Sequence, residues 1–467
     1  MILIAKKKHQ LGTAVMQETS YNNIQLSSNQ LLTNLGSVLS DDQINQLAKD
    51  KKLVFRSRLF SPAIFLRTAV EILNRDKEYS LRSIYYKYAD NSAKEGLETL
   101  SWEPFYDFID KKQMPIFLDA IKGSLDAQAT KGSLSNSQRL VEVLKLKIPS
   151  LTDIAIQDGS EVACNCKVFK GKITNEAKIH RLLSLNSFTE LHSTTTSGVS
   201  SERAEIDLSK LANKLFLADA GYPKMTLFKE LQDNQSLFII KLKSGSALKA
   251  LSYKQYNADS TVTDVKSPVN KYGAPLKLKD EAFKDGLTRD FIVDSDEFPS
   301  LRVVAVFNKD EKKYVYFATN IEQHLLDAFQ IAALYRARWQ VEISFRILKG
   351  FCSLKKCNTH KEGIVRSLIT LSQIVYLLKM IIGQQLQQAF AVEISPKKLV
   401  QRIKCHFMDI IQFVRTLDSD GLLSYLTSRE KLFRTYGKSA PSLINRIRGK
   451  SLSLIIDEIR RPSYDFS

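Results

Sequence analysis

The residues best suited to chemistry lie in the segment from Tyr335 to Lys349, which reads YRARWQVEISFRILK. On a helix of about 100° per residue, its polar side chains fall in one stripe roughly 80° wide. This stripe comprises Tyr335, Arg338, Glu342, Arg346 and Lys349. A carboxylate among cations suits a metal-bound phosphodiester, because the carboxylate takes the metal and its neighbours take phosphate oxygens. The alternative is a solvated helix face held by salt bridges, which is what a charged stripe usually indicates.

The same segment carries an apolar stripe about 100° away, which would attach the helix to a core. This stripe consists of Leu334, Ala337, Val341, Phe345 and Leu348. The pattern therefore predicts one continuous helix whose polar face lies beside the core.

Two aspartates upstream follow predicted strands. Residues 153–157 alternate as a strand, and the sequence Asp158-Gly159-Ser160 predicts a turn that ends it. Residues 214–218 form an apolar strand that leads directly into Asp219, shortly before a helix start. A carboxylate at the carboxyl end of a buried strand is well placed for a ligand site in an α/β sheet. An Asp-Gly turn alone is usually structural, and Asp153 competes with Asp158 although it begins its strand.

The spacing of Tyr335, Arg338, Glu342 and Lys349 resembles the YREK signature of the insertion-sequence-four family of bacterial DDE transposases. Asp158, followed by Gly and Ser, resembles the first catalytic aspartate of that family, and the aspartate of LADAGY, Asp219, resembles the second. The resemblance covers roughly residues 100–380. It implies that Asp158, Asp219 and Glu342 are catalytic and bind metal, and that Tyr335, Arg338 and Lys349 bind DNA phosphates. Arg346 lies outside the signature, so we expect it only to contact phosphate.

Three carboxylates are hard oxygen ligands, which favour Mg²⁺ over zinc, with Mn²⁺ as a possible substitute. We expect two ions per active site, one at the attacking water or 3′-hydroxyl and one at the leaving oxygen. The resemblance implies binding of terminal inverted repeats, cleavage and strand transfer by a cut-and-paste pathway. Cys352, Cys357 and His360 lie close together in the sequence, but their spacing matches no standard zinc pattern, so ordinary thiols are expected.

The predicted fold is a ribonuclease-H-like α/β catalytic core with a mainly β insertion, flanked by all-helical N- and C-terminal domains. Residues 146–244 and 321–385 form the core, because 122 residues separate Asp219 from Glu342 and they include alternating strand patterns. The insertion spans residues 245–320. Residues 1–145 are predicted to form a helical DNA-end-binding domain, and residues 386–467 a helical basic region for dimerisation or DNA contact.

The charge balance points to a polyanionic partner. Lys and Arg number 68 against 50 Asp and Glu, a formal net charge of +18. Residues 335–467 hold 23 basic and 10 acidic residues, so 23 − 10 = +13. We expect double-stranded DNA, as transposon ends and target, and a homodimer in the synaptic complex.

In the first third of the chain, basic residues alternate with aromatic ones, which suits a grip on duplex DNA. A solvated bundle with an aromatic core fits these residues equally well. The basic residues are Arg56, Arg58, Arg67, Arg75, Arg82 and Lys87.

Five cysteines without a disulfide rhythm suit a reducing compartment, and the N-terminus has no signal-peptide pattern. The most apolar segment, residues 367–383, contains Lys379 and is short for a membrane span. We therefore expect a soluble protein of the bacterial cytoplasm, associated with the nucleoid through DNA. Two other interpretations remain open: a catalytically inactive, transposase-derived DNA-binding protein, and a metal-dependent nuclease that does not transpose.

Overall fold

The structure is a computed structural model. It describes residues 2–54, 60–75, 79–165, 168–169, 172–243, 248–257, 261–295, 298, 300–354, 356–393, 395–437 and 451–462. Within these ranges it describes side chains from residue 21 to residue 435, except at positions 168, 172 and 173, and from residue 451 to residue 462.

The first third of the described chain is helical, and serine side chains mark several of the helix starts. Ser40 and Ser61 each accept a backbone N–H three residues on, the usual N-cap interaction. The helices are α1 Ile2–Leu39, α2 Asp41–Asp50, α3 Pro62–Asn74, α4 Leu81–Lys94, α5 Trp102–Asp110, α6 Gln113–Ala129 and α7 Ser135–Lys147.

An eleven-stranded mixed sheet follows, together with a separate two-stranded ribbon of β2 and β3. The strands are β1 Asp153–Cys164, β2 Val168–Phe169, β3 Lys172–Ile173, β4 Glu176–Ser184, β5 Glu190–Ser197, β6 Lys214–Ala218, β7 Leu237–Leu242, β8 Lys249–Tyr256, β9 Val262–Lys266, β10 Thr288–Asp294, β11 Leu301–Asn308, β12 Lys313–Thr319 and β13 Lys356–Cys357. Helix α8, Met225–Asp233, connects β6 to β7.

The first part of the sheet has the order β5-β4-β1-β6-β7. Strands β5, β4 and β1 are antiparallel neighbours, whereas β6 and β7 run parallel to β1. This mixed sheet with helices packed on it fits a ribonuclease-H-like core. The predicted turn after Asp158 is wrong, because β1 continues to Cys164 through nine residues paired with β4. Strand pairing at long range overrides the local turn preference of the Asp-Gly sequence.

The strands between β7 and the next helix extend this same sheet. Strand β12 pairs with β7, and β11, β10, β8 and β9 follow in that order. Residues 245–320 therefore contribute strands to the central sheet, and their only described helix is the short 3₁₀ segment Glu281–Phe283.

The remaining chain is helical apart from β13. Its helices are α9 Ala328–Tyr335, α10 Trp339–Phe351, α11 Glu362–Phe390, α12 Pro396–Ile403, α13 Phe407–Arg415, α14 Ser419–Ser428, α15 Glu430–Gly437 and α16 Leu452–Arg460. The prediction of one continuous helix from Tyr335 to Lys349 is wrong, since a 3₁₀ turn, Arg336–Arg338, separates α9 from α10. The predicted apolar stripe is nevertheless buried throughout.

The sheet separates two hydrophobic cores. The core on one face joins side chains from the N-terminal helices, α9 to α11 and the C-terminal helices, so both ends of the chain pack together. The core on the other face is formed by α8 and the inner side chains of β6, β7 and the inserted strands.

Helix α11 is the one described helix with the length and apolar character to cross a membrane. Its most apolar window is 94% buried inside the protein, where α11 contacts α1, α3 and α6. Such burial is typical of a core helix and favours a soluble protein.

Candidate active site

Asp158 lies where one edge of β1 is open. The pairing of β1 with β6 ends at Ile156, and its pairing with β13 begins at Ala163. Within the described chain no strand pairs with this edge of β1 between those two positions. Because strand side chains alternate between faces, Asp158 lies on the same face as Ile156, toward the core that contains α10. An aspartate in this gap is accessible from the sheet edge.

Asp219 is the first residue after β6, the parallel neighbour of β1. Its carboxylate Oδ1 accepts the backbone N–H of Gly221 at 2.8 Å, which fixes the side chain at the strand end. The predicted strand Lys214–Ala218 is confirmed. Parallel pairing thus brings Asp219 to the same region of the sheet as Asp158.

Glu342 lies in the first turn of α10, the helix that packs against β1. Arg338 immediately precedes this helix and joins the two carboxylates. Its Nη1 donates to Asp158 Oδ2 at 3.1 Å, and its Nη2 donates to Glu342 Oε1 at 2.6 Å. The three side chains are 17%, 18% and 27% exposed, respectively. Asp158 and Glu342, which are 342 − 158 = 184 positions apart in the chain, therefore meet around one guanidinium.

The carboxyl of Asp158 has a pKa raised to about 6, mainly because burial disfavours its charged form. Arg338 and the N–H of Gly159 oppose this rise, whereas the charges of Glu202 and Asp219 add to it. Asp219 is thus close enough to Asp158 for their charges to interact.

Tyr335 packs beside Arg338 on the inner side of the site. Its ring centroid is 4.7 Å from that of Phe317 on β12. Burial raises the pKa of its hydroxyl, with smaller opposing contributions from the charge and hydrogen bond of Arg338. The neutral phenol therefore faces the guanidinium as a hydrogen-bonding group.

Lys349 and Arg346 differ in their surroundings. Lys349 Nζ donates to the backbone oxygen of Glu161 at 2.9 Å, on the open edge of β1. Burial lowers the pKa of this ammonium group, and the charge of Glu161 partly offsets that effect. Arg346 is exposed, with its guanidinium carbon 4.8 Å from the centre of the Trp339 ring. Lys349 belongs to the site, whereas Arg346 lies at its periphery.

Sequence patterns did not reveal Glu202, which follows β5 in a short 3₁₀ helix. Its Oε1 is 2.6 Å from Lys178 Nζ, and a Cβ placed on Gly159 would lie 2.6 Å from the same oxygen. Because Gly159 has no side chain, the carboxylate of Glu202 can lie close to the backbone beside Asp158. Gly159, Lys178, Glu202 and Lys349 are among the residues that line a surface cavity of about 590 Å³. No local signal distinguishes Glu202 from the other acidic residues of its segment.

The competing candidate, Asp153, serves the fold. Its Oδ2 accepts the hydroxyl of Ser184 at 2.5 Å, and its Oδ1 accepts the backbone N–H groups of Ile154 and Asn186. Burial raises the pKa of this carboxyl. These contacts secure the β1–β4 connection, far from Arg338 and Glu342 along the strand.

The donor chemistry of the site suits a hard divalent cation, since the carboxylates of Asp158 and Glu342 meet here, around the guanidinium of Arg338. The present arrangement is not itself a ligand cage: no group of three or more His, Cys, Asp or Glu side chains in the described chain is close enough to hold a metal ion. This finding also applies to Cys352, Cys357 and His360. Cys352 and Cys357 are buried thiols, and the His360 ring contacts the backbone oxygen of Asn165.

The predicted DNA contacts of the N-terminal region are largely engaged within the protein. Arg67 pairs with Asp41 and Glu95, and Arg75 pairs with Glu71. Lys87 contacts acidic groups, and Arg82 stacks on Trp102. Arg56 and Arg58 lie outside the described residues. The helical-bundle alternative accounts for these placements as well as DNA binding does.

In the C-terminal region Arg429 stacks on Tyr425, and Arg434 pairs with Glu430. Other basic residues of this region lie outside the described chain, namely Lys438, Arg446, Arg448 and Lys450.

Residues 158–378 match the family model of the transposase DDE domain. The matched segment begins at Asp158 and contains Asp219 and Glu342. Among curated proteins no sequence matches significantly. One similar solved structure is the piggyBac transposase synaptic complex with hairpin DNA, determined by cryo-electron microscopy. It shares 12% identity and a TM-score of 0.43, over 90% of this chain and 86% of that one.

Proposed function

Because residues 158–378 match a transposase DDE domain, we propose that this chain is a DNA transposase of a bacterial insertion sequence, of the insertion-sequence-four type. It would bind the terminal inverted repeats of its element and catalyse cleavage and strand transfer. The observation that carries the proposal is the meeting of Asp158 and Glu342 at Arg338, beside Asp219. Carboxylates and an arginine at one open sheet edge are the groups that phosphodiester chemistry requires.

Asp158, Asp219 and Glu342 would hold two Mg²⁺ ions, and Mn²⁺, which takes the same oxygen ligands, would substitute for them. When bound, these ions would supply Lewis-acid activation of the attacking hydroxyl and stabilisation of the leaving oxygen. The carboxylates bind cations only when ionised, and Asp158, with a pKa of about 6, is mostly ionised at neutral pH.

The basic groups position the DNA. Arg338 offers a planar fork of donors that can engage one phosphate through two bonds, and Lys349 offers a single ammonium group on the open edge of β1. The neutral hydroxyl of Tyr335 orients the Arg338 guanidinium. Together these groups would align the scissile phosphate for in-line attack, and Arg346 would add a peripheral phosphate contact.

The proposal extends to partners. A formal charge of +18 favours a polyanion, and coordinated cleavage of two element ends would need a homodimer in the synaptic complex. The helical N-terminal region is proposed to bind the ends, and the basic C-terminal region to contact DNA or the second subunit.

The test is Mg²⁺-dependent cleavage of a labelled duplex that carries the element's own terminal repeat. Wild type is compared with Glu342→Ala and with Glu362→Ala, a matched control that breaks a partly exposed Arg–Glu pair on α11. We expect wild type and Glu362→Ala to cut at the repeat boundary and Glu342→Ala to bind without cutting. If wild type binds the repeat and does not cut, the chain is a transposase-derived DNA-binding protein. Cleavage without strand transfer into a target plasmid would identify a nuclease.

A further inference from the structure

The guanidinium of Arg338 fills the space between two carboxylates assigned to the metal. Its nitrogens lie 3.1 Å from Asp158 Oδ2 and 2.6 Å from Glu342 Oε1. The second oxygen of Asp158 accepts the backbone N–H of Gly159 at 2.9 Å. A divalent ion bound by Oδ2 and Oε1 would have to displace the guanidinium, because two cations cannot share these oxygens.

The position of Arg338 in the chain allows such a displacement. The residue ends the 3₁₀ turn that separates α9 from α10, so its backbone lies outside both regular helices. Its side chain is 17% exposed and lies at the open edge of β1. The guanidinium therefore has a route toward solvent, and toward a DNA strand lying along that edge.

A DNA phosphate offers Arg338 an alternative partner of the same kind. Arginine binds phosphate through two parallel hydrogen bonds, as it binds carboxylates. The other cation of the site is held in a similar way, since Lys349 donates a hydrogen bond to the backbone oxygen of Glu161. Both basic groups thus bind protein oxygens when DNA is not bound.

We propose that Arg338 acts as an internal cation, which keeps divalent ions from Asp158 and Glu342 until a DNA phosphate draws the guanidinium away. This inference rests on the proposed function, since DNA is the ligand that releases the site. It couples the two ligands: DNA raises the affinity for the ion, and the ion raises the affinity for DNA by the same factor. Ion loading, and with it cleavage, is then confined to protein bound to a DNA end.

A purely structural role for Arg338 predicts the opposite change in ion affinity when the guanidinium is removed. If the guanidinium only holds Asp158 and Glu342 in place for the ion, removing it disorders the ligands and weakens ion binding. If it competes with the ion, removing it strengthens binding. The two roles are thus distinguished by whether the ion affinity rises or falls when Arg338 is replaced.

The experiment is a titration of DNA-free protein with Mn²⁺, followed by calorimetry and by the electron paramagnetic resonance signal of free Mn²⁺. The variants are Arg338→Gln and, as a matched control, Arg366→Gln, which breaks another arginine–glutamate pair four residues apart in sequence. We expect Arg338→Gln to bind Mn²⁺ about tenfold more tightly than wild type, within the usual range of coupling between linked sites. Arg366→Gln should match wild type.

The second arm adds a duplex oligonucleotide that carries the element's end. DNA should raise the Mn²⁺ affinity of wild type about tenfold, but that of Arg338→Gln by much less, because the competing cation is already absent. Adding Glu342→Gln to Arg338→Gln should abolish the gain, which shows that the ion is at this site. Arg338→Lys, which keeps a charge but cannot bridge both carboxylates, should lie between wild type and Arg338→Gln and serves if the glutamine variant misfolds.

Equal or weaker Mn²⁺ binding by both Arg338 variants overturns the inference, as does an equal effect of DNA on wild type and Arg338→Gln. Its failure is distinct from that of the proposed function. Tighter Mn²⁺ binding by Arg338→Gln, together with no cleavage by wild type, would refute only the enzymatic activity. Normal cleavage by wild type with unchanged Mn²⁺ binding in the variants would refute only the competition.

Discussion

Asp158 on β1 is the direct cross-strand partner of Arg181 on β4. Directly paired residues place their side chains on the same face of a sheet, so an arginine lies behind the candidate catalytic aspartate. This arginine binds elsewhere: its Nε is 2.8 Å from Glu190 Oε1, and its guanidinium carbon is 4.1 Å from the centre of the Tyr376 ring. Arg181 therefore supports the core beneath the site, and Arg338 is the cation that contacts Asp158.

The Arg181–Glu190 pair belongs to a buried ionic cluster that joins three parts of the chain. Lys122 Nζ on α6 lies 2.8 Å from Glu190 Oε2 and 3.0 Å from Asp126 Oδ2. Gln373 on α11 donates to Ser193 and to Glu190. The cluster thus connects an N-terminal helix, the sheet edge and the central helix at a site with almost no solvent exposure.

Glu190→Gln should strongly destabilise the fold. The substitution removes the one charge that faces both Lys122 and Arg181, and a buried charge left without its partner costs about 3–5 kcal/mol. The measurement is the free energy of unfolding in urea. Glu393→Gln, which breaks the half-exposed pair with Arg139, is the control and should cost less than about 1 kcal/mol. Similar small losses in both variants would contradict a role for the cluster in stability.

Asp126 should make stability depend on pH. Burial raises the pKa of its carboxyl from 3.8 to about 7, although Lys122 opposes the rise. Between these two values the folded chain holds a proton that the unfolded chain has released, so this group's contribution to stability falls as pH rises. Asp126→Asn stays neutral and should gain stability relative to wild type between pH 5 and pH 8. Unfolding midpoints of both proteins at the two pH values measure this gain, and an unchanged difference would refute the assignment.

Asp158 and Asp219 should be essential for cleavage, whereas Asp153 should not. Asp158→Ala and Asp219→Ala each remove a proposed metal ligand, and we expect cleavage to fall by at least about 10³-fold. DNA binding should persist, because removing a negative charge does not weaken attraction to phosphate. Asp153→Asn weakens the hydrogen bond that Asp153 accepts from Ser184 and should lower stability while folded enzyme still cuts. Full cleavage by Asp158→Ala would show that Asp158 is not a catalytic residue.

Tyr335→Phe should distinguish the contribution of the Tyr335 hydroxyl from that of its ring. The ring packs against Phe317, so the phenylalanine variant should keep its melting temperature. Loss of the hydroxyl near Arg338 should weaken binding to an end duplex about fivefold, corresponding to one hydrogen bond of roughly 1 kcal/mol. Fluorescence anisotropy with a labelled duplex measures this loss. A variant that binds DNA normally but melts earlier would show that the hydroxyl serves only the fold.

The sequence alone was sufficient for features that depend on local periodicity. The apolar stripe from Leu334 to Leu348 follows from helical periodicity, because burial on one face of a helix imposes a period that can be counted. The strand Lys214–Ala218 follows from its short apolar run. Spacing and the resemblance to a family signature single out Asp158, Asp219 and Glu342 as candidate catalytic residues.

Only the tertiary structure decided how these residues meet. Pairing with β4 carries β1 straight through Asp158, although an Asp-Gly sequence locally favours a turn. The bridging position of Arg338 depends on segments that are far apart in the chain, and the contacts of Glu202 with Lys178 and of Arg181 with Glu190 depend on how neighbouring strands pair. Local sequence cannot encode such contacts, because they arise from the register of strands and the packing of helices, to which the whole chain contributes.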